Sequence, residues 1–167
     1  MGPRGLAHAK DINGETLGKI LQYLSTRGSD QIIGFEETLL AGLAPDGGLY
    51  VPAEWPAVWN GPDTRRLSYA EDAARLMEPF VNGEIDSAAL NAITRDAYSE
   101  FQHKDVAPLV EIGDGHWLLE LFHGPTLAFK DFALQLLGNL YEEQISRTGQ
   151  NLSVLGATSG DTGAAAI

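Results

Sequence analysis

Hydrophobic positions along this chain fall into two rhythms. Phe129, Phe132, Ala133, Leu136, Leu137 and Leu140 recur at helical spacing. So do Ala70, Ala73, Ala74, Met77, Phe80 and Val81, and then Leu90, Ile93, Ala97 and Phe101. Ser68 and Glu71 stand at capping-box spacing before the earlier of these faces, and Asn82-Gly83 closes it. The next face starts from Asp86, so the two predict a helical hairpin with a packing role. A shorter face, Phe35, Leu39, Leu40 and Leu43, follows Gly34 and stops at Pro45-Asp46-Gly47-Gly48. Leu17, Ile20, Leu21 and Leu24 fit one more short helix.

The second rhythm is that of strands. Leu49 to Pro52 reads as an edge strand, because proline cannot donate to a ladder. Val106 to Ile112 and Trp117 to Phe122 read as strands joined by the turn Gly113-Asp114-Gly115. Leu152 to Gly156 has the pattern of a buried strand. The second half therefore runs strand, turn, helix, strand, turn, helix, which predicts a parallel sheet with helices packed on it. Ligands collect at the carboxyl ends of such strands. Two polar turns lie there, His123 to Asp131 and Thr158 to Gly163. Asp46-Gly47-Gly48 reads as a tight turn rather than an anion loop. Trp55 and Trp59 are expected to cover a core edge.

Chemistry concentrates at the two polar turns. Gly124-Pro125 breaks the preceding strand, Thr126 is placed to cap the helix that follows, and Lys130 falls in or near its first turn. A helix start is the unfavourable end for a cation. Apolar neighbours Leu127, Phe129 and Leu134 disfavour its charge further. A neutral amine is what imine formation with a carbonyl requires. The residues alone leave a second reading open, a surface lysine whose stem lies on Phe129 and whose ammonium reaches Asp131 or solvent. The Ser159-Gly160-Asp161-Thr162-Gly163 turn offers amides, hydroxyls and a helix start, a natural cradle for a carboxylate or phosphate. Its plainer reading is a strand-to-helix turn capped by Asp161 and Thr162, and the two are compatible. No lysine follows Gly163 as in a Walker loop, the spacing from Gly156 is wrong for a dinucleotide fingerprint, and Ser159 lacks the glycines of a nucleophile elbow.

Composition narrows the classes. The formal charge of −12 opposes nucleic-acid and anionic-membrane binding. Absence of cysteine removes disulfides, thiolate catalysis and zinc-thiolate sites. His8, His103, His116 and His123 lack metal-ligand spacing, and no apolar run approaches the roughly 20 residues of a membrane span. The expectation is a soluble, cytoplasmic protein whose 167 residues and 44% hydrophobic content support a buried core.

His123-Gly124-Pro125-Thr126-Leu127-Ala128-Phe129-Lys130-Asp131 resembles the cofactor-lysine motif of the threonine synthases. Ala157 to Gly163 resembles that family's glycine-rich substrate loop, and Tyr23 to Gly28 and Gly42 to Pro52 resemble its amino-terminal segments. The resemblance implies an α/β, three-layer fold type II architecture like that of the tryptophan synthase β chain. It implies pyridoxal 5'-phosphate as cofactor, bound through Lys130, with Phe129 and Asp161 beside it and Asp131 behind. Thr158, Ser159, Gly160, Thr162 and Gly163 would hold the substrate. The implied reaction converts O-phospho-L-homoserine and water to L-threonine and phosphate, with Lys130 as general base. The alternatives that stay open are another pyridoxal-phosphate lyase, such as a serine or threonine dehydratase, and a non-catalytic fragment or binding module of the same fold.

The expected organisation is an extension of no assigned role over 1–22, a helical segment with short strands over 23–105, and the start of a cofactor-binding domain over 106–167. The family's cup for the cofactor phosphate lies beyond Ile167, so the expectation is that this polypeptide alone turns over little or nothing.

Overall fold

The computed structural model describes residues 21–58, 67–81 and 83–166. Most of the expected leader, with His8, Trp59, Asn82 and Ile167, lies outside them. The chain divides into two compact units, one holding residues up to Ala57 together with Pro79–Glu84, the other holding the rest.

The first unit is built on a three-stranded antiparallel sheet. Its central strand β1, Tyr23–Ser25, pairs with β2, Ile32–Ile33, on one side and β3, Tyr50–Pro52, on the other. Pro52 thus sits on an edge strand, opposite Tyr23, as its missing amide demands. Tyr23 and Ser25 alternate inward, and this places Leu24 in a strand rather than in the expected helix. Helix α1, Phe35–Ala41, has no side chain of its own at the cap, for residue 34 is glycine. Glu84 takes that place, accepting from Phe35 N at 2.7 Å and Glu36 N at 3.0 Å. The Asp46-Gly47-Gly48 segment is a turn closed by Gly47 N to Ala44 O at 2.8 Å. Asp46's carboxylate takes the Gly48 amide and the Ser25 hydroxyl, which hold its pKa below the usual carboxylate range, Ser25 most of all. Trp55 meets Phe80 edge-on but is 76% exposed, so it does not cover the core edge as expected.

The second unit is mainly helical. Helix α2, Tyr69–Val81, runs into the first unit at its Pro79 end and opens on the expected capping box. Ser68 Oγ accepts the Glu71 amide at 3.3 Å while Glu71 Oε2 accepts Ser68 N at 2.7 Å. Helix α3, Ser87–Ser99, is capped by Asp86, whose carboxylate accepts from Ala89 N at 2.8 Å. The two helices form as expected, but α3 packs chiefly against α4, Asp131–Thr148, rather than along α2. Four rings join these helices: Tyr69 meets Tyr98, Tyr98 meets Phe101, Phe101 meets Phe132, and Phe132 returns to Tyr69, with centroids 4.8 to 6.1 Å apart. Edge-to-face pairs of this kind contribute about 0.5–1.5 kcal/mol each beyond the area they bury.

Strands β4, Leu109–Gly113, and β5, His116–Leu119, form an antiparallel hairpin through the expected turn. Both faces of the hairpin are exposed. The strand starts later than its apolar pattern suggests. Val106 lies in a turn with φ 60°, its amide on His103 O, and Pro108 offers no amide for pairing. The parallel sheet expected from the order of elements does not form among the described residues. Leu152 to Gly156 forms no strand, with Val154 72% and Leu155 100% exposed. Apolar residues adopt a strand only when a neighbouring strand takes their backbone groups, and here none does. A short helix α5, Asp161–Ala165, follows.

Candidate active site

After β5 the chain is pinned in place by backbone bonds. Glu120 N reaches Pro108 O at 3.0 Å, and His123 O accepts from Gln102 N at 2.8 Å. The His123 ring bonds Glu120 Oε2 at 2.7 Å and lies 5.1 Å from the His103 ring, which gives it a structural setting. Two turns follow, closed by Leu127 N to Gly124 O at 3.1 Å and Asp131 N to Ala128 O at 3.0 Å. Leu127 sits at φ 61°, a conformation that costs a leucine about 1–3 kcal/mol.

Lys130 occupies the N-cap position of α4, and its carbonyl accepts from Ala133 and Leu134. Its side chain is half-buried, with Nζ 5.3 Å from the centre of the Phe129 ring. Asp131, next to it, is fully buried. Its Oδ1 accepts the Thr126 hydroxyl at 2.6 Å and its Oδ2 accepts Thr126 N at 2.9 Å. The expected roles are therefore exchanged: Thr126 does not cap the helix, and the Lys130 ammonium does not reach Asp131. A carboxylate at the first helical position can fold back onto the preceding turn and still lie near the free amides, where negative charge is favoured.

Lys130 opens onto a cavity of about 510 Å³ lined by Tyr69, Leu121, Phe129, Phe132, Ala133, Leu134 and Thr162. Its volume falls in the range of small-molecule sites, which are mostly apolar with a few converging polar groups. Burial pushes the Tyr69 phenol up, so at neutral pH it presents a neutral hydroxyl. Thr162 brings the second polar turn to the same cavity as Lys130 and Phe129. Thr158, Ser159, Gly160, Asp161 and Gly163 lie in that turn without lining the cavity, and Asp161 is exposed. Thr158 Oγ1 accepts from Gly160 N at 3.2 Å and Gly163 N at 3.1 Å, so Thr158 closes the turn in place of Asp161 or Thr162. Tyr69 and Leu121 were not singled out from the sequence. Tyr69 reaches the cavity only because the four-ring cluster draws the start of α2 against α4.

Residues 22–98 match the family described as "Threonine synthase N terminus". Over 154 residues the chain is 51% identical to a threonine synthase of Pseudomonas aeruginosa, a match covering 88% of this chain and 32% of that protein. The chain matches the amino-terminal part of the threonine synthases. A crystal structure of PLP-bound threonine synthase from Brucella melitensis superposes with a TM-score of 0.79 at 46% identity, over 87% of this chain and 32% of that one. The yeast threonine synthase structure gives 0.76 at 44% identity with the same shares. The chain spans about a third of the length of the threonine synthases it matches, and carries that part of their α/β, fold type II architecture.

Proposed function

We propose that this chain is the part of a threonine synthase that supplies the lysine amine and one wall of the substrate site. On this reading the whole protein converts O-phospho-L-homoserine and water to L-threonine and phosphate. The observation that carries it is the meeting of Lys130, Phe129 and Thr162, from the two polar turns, around one apolar cavity. The residues suit pyridoxal 5'-phosphate at its aldehyde and ring. A primary amine with no carboxylate within ion-pair distance among the described residues faces an aromatic-lined space.

Lys130 would hold the cofactor at its aldehyde, and its Nζ would be the base that moves substrate protons. When bound, the cofactor draws electron density from the substrate α-carbon. Phe129 sets its ring 5.3 Å from Nζ and forms part of the cavity wall. Thr162 contributes a hydroxyl, and Thr158, Ser159, Gly160 and Gly163 shape the turn that receives the anionic end of the substrate. Asp161 would be the neighbour of the cofactor ring on that turn, although in this structure it is exposed and lines no part of the cavity. The test is phosphate release with stoichiometric threonine formation by the full-length enzyme given O-phosphohomoserine. Loss of both on Lys130→Ala supports the reading. Release of a 2-oxo acid from serine or threonine, with no turnover of O-phosphohomoserine, replaces it with a dehydratase.

A further inference from the structure

We propose that Thr126 and Asp131 form a positioning clasp that holds the Lys130 amine over its cavity. The proposal deepens the reading above and rests on it for its chemistry, but the clasp itself is a property of the loop. The loop from Gly124 to Asp131 is tied at both ends. Asp131 takes both the amide and the hydroxyl of Thr126 at 2.9 and 2.6 Å. At Gly124 the backbone comes so close that a Cβ would lie 2.8 Å from Asp131 Cγ, and nearer still to its Cβ and Oδ2.

A fully buried carboxylate is costly unless its oxygens are satisfied, and here both donors come from Thr126. Asp131 makes no contact with the Lys130 ammonium, so charge pairing with the lysine is not its role. Between the tied ends Leu127 is held at φ 61°, which the loop tolerates only when its surroundings over-determine it. Lys130 stands directly before Asp131 as the N-cap residue of α4, so the direction of its side chain is set by where the clasp closes. An amine displaced by an ångström from its reacting partner loses reactivity steeply, by about a hundredfold in unfavourable cases. Thr126 and Asp131 are positioning residues on this account, touching neither cofactor nor substrate.

The experiment uses the full-length protein, wild type and the variants Thr126→Val, Thr126→Ser and Gly124→Ala. Pyridoxal phosphate is added, the adduct is reduced with borohydride, and its yield at Lys130 is read by peptide mass spectrometry. In parallel, without cofactor, reductive methylation at Lys130 is compared with that at Lys104, whose side chain is 82% exposed. Thr126→Val should lower trapping about tenfold and move the Lys130 to Lys104 labelling ratio toward one, while Thr126→Ser stays near wild type. Thermal melts identify variants that fail to fold. If Thr126→Val is among them, Gly124→Ala, which displaces the carboxylate without altering its chemistry, should show the same loss of trapping. Wild-type trapping in a folded Thr126→Val or Gly124→Ala variant overturns the clasp, as does a Thr126→Ser variant no better than Thr126→Val. Should wild type give no adduct at Lys130, the cofactor reading falls, and the labelling ratio still decides the clasp.

Discussion

Glu84 caps a helix that begins at Phe35, its carboxylate accepting the Phe35 amide at 2.7 Å. The position before that helix is Gly34, where a Cβ would meet Glu84 Oε1 at 2.7 Å, so the cap has to come from elsewhere in the chain. Replacing Glu84 by alanine should cost about 1 kcal/mol of stability, the usual worth of a cap. Chemical denaturation of the two proteins measures it. Gly34→Ala should cost a comparable amount by pushing the carboxylate away, and the double variant should cost less than the sum of the two singles.

The capping box at the start of α2 carries a pH signature. Two bonds from Ser68 to Glu71 hold the Glu71 carboxyl below its ordinary value of 4.5, the backbone bond most strongly. A carboxyl lowered by folding stabilises the fold above its unfolded value, and that contribution is lost as pH falls through the folded one. Ser68→Ala should cost about 1 kcal/mol at neutral pH. The gap between wild type and variant should narrow below pH 4.5 in denaturant titrations followed by circular dichroism.

Tyr98 gives the opposite slope. Burial, helped by the neighbouring Tyr69, pushes its phenol up to about 12 from 10.0, and Tyr23 in the other unit is likewise pushed up to about 12. A phenol raised by folding contributes stability that is complete below pH 10 and drains away between 10 and 12. Tyrosinate absorbance in the folded protein should therefore show late-ionising phenols that join the ordinary ones after denaturation. Tyr98→Phe should flatten the loss of stability over that window.

Two glycines of the second unit should respond oppositely to alanine. Gly124→Ala introduces a Cβ into the space of the Asp131 carboxylate, an overpacking that costs about 1–3 kcal/mol. Gly138 lies within α4 with nothing within 4 Å of an added Cβ. Gly138→Ala should raise stability by about 0.5–1 kcal/mol through helix propensity alone. Thermal unfolding of the two variants checks both signs at once.

What the sequence made legible was local. The Ser68–Glu71 capping box, the helix start at Asp86 and the hairpin turn at Gly113 to Gly115 depend on residues a few positions apart, and all of them formed as expected. Lys130 and Thr162 do line one cavity, but the parallel sheet from which their meeting was expected does not form among the described residues. Elements whose partners are distant were not legible. Leu152 to Gly156 has the composition of a strand, but its pairing depends on another strand's backbone. Tyr69 carries no motif, and only the ring cluster brings it to the cavity. Thr126 and Asp131 are both good cap residues, and spacing alone could not tell which would bend toward the other.

The β4–β5 ribbon bears on how the chain behaves by itself. Ile112 and Trp117 remain more than half exposed, and among the described residues no third strand pairs with the ribbon and both its faces stay exposed. A pair of strands so placed is marginal in water. Its amides should exchange with deuterium well before those of α3, and its greasy flanks should make the isolated polypeptide stick to itself as concentration rises. Added salt, by muting the mutual repulsion of −12 charges, should hasten that clumping.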